Sequence, residues 1–372
     1  MKVPYSLHLL LSVACAGLVS LRAAAQVVNP GPPADSARTE QGDQPADMDK
    51  KVFANPSVLG MGPSKGIVLR YERAPGVGVT SVSDPALIGN GAGTVRRLNL
   101  NEIKAYAPLW NRPHLKFVLG FNYTRQQFNF TDPGSLSYPL YQLLEDRNLK
   151  NVGAQLLMLR PIDGRKYFLF RVKGELNGDY SQNADEGKYR LQPLRDYLRT
   201  SAEFFYGWKK SPRYSLGVGA QFGYTFGRRS IFPALIYNRT FSDQWGVEAI
   251  FPARIRVRYN LNEKTLFYGG YEVQGDSYRI NVSLPPQSGT PAVGDNRVLE
   301  LRVTSLTGRL RVEREVLPVL WVAAEAGWRY YRNFDAFTSS RSRVKLIDSK
   351  LRSAPAFAVE VFLTPPRRIL KQ

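Results

Sequence analysis

From Ser64 onward, apolar and polar residues alternate one for one in long runs, and clusters of turn-forming residues separate the runs. Between Tyr214 and Phe226, the residues Tyr214, Leu216, Val218, Ala220, Phe222, Tyr224 and Phe226 share one face. Ser215, Gly217, Gly219, Gln221, Gly223 and Thr225 share the other. A period of two places successive side chains on opposite sides of a β-strand. The same division recurs at Leu115, Phe117, Leu119, Phe121 and Tyr123, with Lys116, Gly120, Asn122 and Thr124 between them. It returns at Phe168, Phe170, Val172, Gly174 and Leu176 against Arg171, Lys173 and Glu175. Two further faces are Phe267, Gly269, Tyr271 and Val273 opposite Tyr268 and Glu272, and Leu320 to Tyr330 opposite Glu325 and Arg329. Helical periodicity is modest and confined to Leu191 to Leu198.

Link lengths add a second pattern. Tight links fall at Trp110 to Pro113, Pro161 to Gly164, Lys210 to Pro212, Ser242 to Gln244, Asn260 to Lys264 and Val316 to Pro318. Longer links fall around 74–94, 130–147, 180–198, 280–296 and 334–353. Short links at one end and long ones at the other are the rule for membrane barrels. The alternation holds throughout if Phe251-Pro252 is a tight turn that splits 245–259 into two short strands. The fold class is therefore all-β: a single transmembrane, antiparallel, up-and-down β-barrel of about 12–14 strands. A soluble sandwich or β-helix would have shorter strands and no such alternation of links.

The N-terminus carries Lys2, an apolar stretch from Leu9 to Leu21 and Ala23-Ala24-Ala25, the parts of a cleavable signal peptide over 1–25. Acylation of Cys15 and retention as a membrane anchor are the alternatives. Cys15 is the sole cysteine, so the exported chain would have no disulfide or thiol chemistry. Residues 26–60 include a Pro-, Ala- and Asp-rich stretch and read as a disordered periplasmic lead, containing Asp35-Ser36-Ala37, which has the form of a short O-glycosylation sequon. The barrel spans 61–365, and 366–372 form a tail. The mean hydropathy of −0.29 looks soluble, as it does for any barrel whose lumen residues are polar. Tyr (20), Phe (19) and Trp (5) are abundant enough to form interfacial girdles, and Tyr206, Trp208, Trp321, Tyr330 and Tyr331 lie near strand ends.

The stretch Ser64 to Tyr71 with Glu72-Arg73, the run Trp245 to Pro252, Tyr259, and Gly269-Gly270 resemble the strands of an uncharacterised Bacteroidota outer-membrane barrel family, a domain of unknown function. The resemblance implies the barrel fold and assigns no catalytic residue. The last apolar strand carries Phe357, Val359, Val361 and Leu363, followed by Thr364 to Arg368.

Chemistry enters mainly by charge. The net charge is +20, which calls for acidic surroundings; export excludes nucleic acid and leaves lipopolysaccharide or an anionic solute. Only His8 and His114 are histidines, and His114 sits in a tight link. No Walker loop, zinc pattern or nucleophile elbow is present, so neither enzyme activity nor a cofactor is expected. Arg254, Arg256 and Arg258 share one strand face against Ile255, Val257 and Tyr259, and Arg309 and Arg311 extend the set. Guanidinium groups facing a lumen favour anions. The competing arrangement is a structural ladder with Glu248, Glu272, Glu300, Glu313 or Glu325 as partners. The expected function is an outer-membrane channel or transporter for small anionic or amphipathic solutes. The alternatives are a structural or assembly component and, less favoured, a lipid-modifying enzyme. Expected partners are outer-membrane lipid and lipopolysaccharide, the barrel assembly machinery and a small anionic solute.

Overall fold

The structure is a computed structural model that describes residues 53–364 apart from 85–87, 181–182, 186–187, 191–193, 225–226, 284–295 and 340–341. Residues 1–52, where the signal peptide, most of the lead and the sequon are expected, and residues 365–372 lie outside the described residues. The wall begins with β1 (Ile67–Ser83), β2 (Gly91–Arg112) and β3 (Leu115–Phe130), followed by a short helix, α1 (Pro139–Asp146). β4 (Leu149–Pro161) and β5 (Lys166–Gly178) lead to a small separate hairpin, β6 (Asn183–Asp185) with β7 (Lys188–Arg190). The wall resumes with β8 (Leu198–Ser211), β9 (Tyr214–Gly223), β10 (Ser230–Thr240), β11 (Trp245–Phe251) and β12 (Arg254–Asn262). It ends with β13 (Thr265–Ser283), β14 (Asn296–Leu317), β15 (Leu320–Phe337), β16 (Lys345–Leu351) and β17 (Ala354–Leu363).

Each wall strand pairs antiparallel with its sequence neighbour, and β17 closes the ring by pairing with both β15 and β1. Closure removes the free edges that an open sheet of this length would expose. Fourteen strands make the wall, and β16 is an additional segment beside β1 beyond the end of β17. The tight turn at Phe251–Arg254 is present, with Ile250 opposite Arg254, so β11 and β12 are two strands and parity is kept. The alternation read from sequence sets the faces: Phe121, Phe170, Val172, Val218, Phe222 and Phe267 are exposed outward, while Glu325, Arg329 and Gln221 are buried inward.

Several local expectations change. β9 stops at Gly223, whose φ is +104°. Leu194–Asp196 is one 3-10 turn and β8 starts at Leu198, so the 191–198 stretch is no α-helix. The α-helix is α1 instead, inside a stretch read as a plain link. The 74–94 link is mostly strand: the β1–β2 pairing is interrupted at Gly76, which has φ +67°, and resumes at Val77 in the same register. Trp321 and Tyr331 are not girdle residues. Both are buried on the inward face, and Trp321 stacks on Phe362.

The ring has two circumferences. β11 and β12 are short, and β13 keeps its register with β12 only as far as Glu272. Beyond that point the β13–β14 hairpin leans across the barrel, and Arg279 pairs with Gly178 of β5 in parallel. At this rim the ring passes through β1–β5 and β13–β16, nine strands. An odd ring of otherwise antiparallel strands requires one parallel contact, and this is it. Barrel width grows with strand number, and about eight strands leave just enough room for side chains. The narrow rim is accordingly packed with apolar groups, among them Val79, Leu98, Phe128, Ile280, Leu301 and Phe334. Helix α1 adds Leu140, Tyr141, Leu143 and Leu144 to the same cluster.

Candidate functional site: the arginine-lined lumen

The fourteen-strand part is too wide for apolar side chains to fill, and long charged chains span it. β12 places Arg254, Arg256 and Arg258 inward, since they lie opposite the inward residues Glu272, Gly270 and Tyr268 of β13. The three have different surroundings. Arg258 is completely buried; its Nη1 donates to Glu248 Oε1 at 2.9 Å and its Nη2 donates to Thr240 Oγ1 at 3.1 Å. Arg256 approaches Glu272 at 3.7 Å. Arg254 makes no ion pair among the described residues; Glu272, opposite it, and Glu248 act on it only at longer range, and its buried Nε has no acceptor.

Arg309 and Arg311 belong to a larger network centred on Glu325 of β15. Glu325 accepts from Arg70 at 2.6 and 2.7 Å, from Arg309 at 2.8 Å, and from Arg311. Arg311 also reaches Glu313 at 2.7 Å and Glu360 at 2.7 Å. Lys65, just before β1, joins Glu360 at 2.6 Å and Glu313 at 3.2 Å. Glu72 accepts from Arg70 at 2.6 Å and from Arg329. Mutual neutralisation is what makes so many buried charges tolerable.

Thus Glu248, Glu272, Glu313 and Glu325 do partner the arginines. Glu300 does not: it lies on the outward face of β14, where the leaning hairpin turns it toward β8, and it pairs with Arg199 and Ser277. Arg70, Glu72, Arg329 and Glu360 were missed as members. Their signal was present, because each falls on the polar parity of its strand. His114 is in the exposed β2–β3 turn, away from these groups. Among the described residues no cluster of His, Cys, Asp and Glu could hold a metal, and no helix is long and apolar enough to cross a membrane.

Among the described residues, one narrow space inside is lined by Arg256, Tyr268, Glu272, Arg309 and Arg311. Another lies under the apolar rim between Phe128, Phe334, Gln126, Gln274, Asp276 and Arg329.

The family described as a domain of unknown function (DUF6268) matches residues 142–350, more than half of the 372 residues. The chain belongs to this family. The DUF6268 match runs from α1 to β16 and contains all five arginines singled out by sequence. No curated protein matches the chain. Among solved structures, the chain is similar to a Pseudomonas aeruginosa FadL homologue at 10% identity, covering 85% of this chain and 95% of that one, with a TM-score of 0.39. It is similar to the P. putida toluene transporter TodX at 10% identity, covering 85% and 94%, with a TM-score of 0.38. It is also similar to the Escherichia coli outer membrane protease OmpT at 7% identity, covering 83% and 100%, with a TM-score of 0.29.

Proposed function

We propose that the protein is an outer-membrane barrel that conducts small anionic or amphipathic solutes, here in a closed state, and that it has no catalytic role. The membrane location is supported by the apolar outward face that encircles a charged interior, which water outside the barrel would not favour. The likeness of Ser64 to Tyr71 to Bacteroidota barrels agrees with it. Lipopolysaccharide and other outer-membrane lipid would surround the wall, and the barrel assembly machinery would install it.

The observation that carries the solute preference is Arg254. It is the member of the β12 trio that makes no close ion pair: Glu272 and Glu248 act on it only at longer range, and its buried Nε has no acceptor, which leaves it the most available cation of the three for a passing anion. Planar-bilayer recording tests the reading: discrete conductance steps with anion preference are expected, and Arg254→Gln reduces the preference. Absence of any step from a folded preparation, with the lumen opened as described below as well as closed, overturns it.

A second reading, a barrel that only builds the membrane, is favoured by the ladder around Glu325, which fills the lumen with mutually paired charges. Conductance through the opened barrel separates the two.

A further inference from the structure

Residues 53–66 form neither helix nor strand. They follow the inside of the short-turn mouth and meet successive wall strands. The Ala54 amide donates to the Asp163 carbonyl at 3.1 Å, and the Leu59 amide donates to the Pro212 carbonyl at 3.0 Å. Asn238 Nδ2 donates to the Pro56 carbonyl at 2.8 Å. Lys209 Nζ donates to the Ser57 carbonyl at 2.8 Å. The Leu59 carbonyl accepts from Thr240 Oγ1 at 2.6 Å and from Arg258 Nη2 at 3.1 Å. Asn260 Nδ2 donates to the Gly60 carbonyl at 3.0 Å. The polar wall residues that bond it near the mouth, Asn238, Thr240 and Arg258, are all buried although each lies within a few residues of a short turn.

The fit is steric as well as polar. Gly60 has φ +74°, and a Cβ there would come 2.8 Å from Asn260 Nδ2 and 3.1 Å from Arg258 Nη2. A Cβ on Gly62 would come 2.5 Å from the Tyr268 hydroxyl. Within the segment itself, the Met61 amide reaches the Val58 carbonyl at 3.4 Å and the Val58 amide reaches Met61 Sδ at 3.2 Å. The segment is therefore held mainly by the wall, through bonds that break one by one without unfolding a strand.

We propose that residues 53–62 are a detachable strap that seals the short-turn mouth of the lumen, with Arg258, Thr240 and Asn260 as its receptor on the wall. The conduit role of the strap rests on the proposed function above; the seal itself does not. Releasing the strap opens the mouth toward the ionic network while β1 and the ring stay closed.

The test places a reporter thiol behind the strap. Ala323 is buried on the inward face of β15, in the cluster with Leu266 and Tyr268 that Gly62 approaches. Ala323→Cys is made alone and with Gly60→Val or Gly62→Val. Each protein is reconstituted in vesicles and labelled with a membrane-impermeant maleimide, with wild type giving the background. A closed ring is verified by heat-modifiable electrophoretic mobility. Labelling about tenfold faster in the glycine variants, one decade in a local opening equilibrium, is expected. A second pair, Thr240→Val with Asn260→Ala, removes the receptor from the wall side and should act alike. Unchanged labelling in folded variants of both kinds overturns the strap. Faster labelling without conductance leaves the strap standing and overturns the conduit.

Discussion

Arg70 of β1 grips Glu325 of β15 with both Nη groups, at 2.6 and 2.7 Å, across the intervening strand β17. The two strands share no backbone pairing, so this fork ties the closing seam from inside. Bidentate guanidinium–carboxylate geometry is among the stronger polar contacts. Replacing Glu325 by Gln leaves Arg70, Arg309 and Arg311 short of one buried counter-charge. Loss of one partner from such a pair costs about 3–5 kcal/mol. A lowered denaturant midpoint for Glu325→Gln in lipid vesicles is the expected result, and an unchanged midpoint would show that the seam does not depend on it.

The β12 arginines should separate in their behaviour. Arg258→Gln strands Glu248 in a buried site and is expected to cost about 3–5 kcal/mol. Arg254→Gln breaks no close ion pair and should cost much less than Arg258→Gln. Denaturant titrations of the two variants side by side decide this.

The outward face makes its own demand. Val218 is exposed in the middle of β9. If that face meets hydrocarbon, Val218→Arg destabilises the barrel by about 2–4 kcal/mol. In aqueous surroundings the same change would be almost neutral. Equilibrium unfolding of reconstituted protein distinguishes these outcomes.

Helix α1 should act as a fixed lid. Tyr141 is fully buried, and its hydroxyl contacts Ser81 Oγ at 2.9 Å and the Gly91 carbonyl at 3.1 Å. Tyr141→Ala removes a large apolar volume and leaves Ser81 and Gly91 without this partner. A loss of about 3–5 kcal/mol follows, read as a lower unfolding midpoint with faster proteolysis between residues 131 and 148.

The strap also has an acid-sensitive end. In the β4–β5 turn, Asp163 Oδ1 accepts the amides of Arg165 and Lys166 at 2.6 and 2.7 Å. The Arg165 amide foremost, and the Lys166 amide with it, hold the carboxyl below the usual carboxylate range. The stabilisation is complete above the ordinary carboxylate pKa and disappears as pH falls through the lowered value. Hydrogen-exchange protection of the Ala54 amide, which rests on the Asp163 carbonyl, should decline over that acidic range. Asp163→Ala should remove the pH dependence.

Strand parity was legible because the two solvents of a barrel select opposite residue types at alternate positions, as at Phe170 and Arg171. The split at Phe251-Pro252 was legible from turn parity alone. Helix α1 was hidden because its eight residues offer one short apolar stripe, Leu140, Tyr141, Leu143 and Leu144, inside a polar link. The inward placement of Trp321 was hidden because aromatic residues suit any sheet. In the candidate site, the β12 arginines were visible from their spacing. Their inequality was not, since it depends on Glu248 and Glu272 from the neighbouring strands. The strap was invisible because Gly60 and Gly62 look like linker glycines until Arg258 and Tyr268 are placed above them.

The seam between β1 and β17 joins the beginning of the wall to its end. A nascent sheet that lacks its final strand lacks Glu360, which both Arg311 and Lys65 share, so the network is one counter-charge short, and taking that imbalance into hydrocarbon is costly. The C-terminal strand thus supplies the charge that balances the interior as well as the edge that closes the ring.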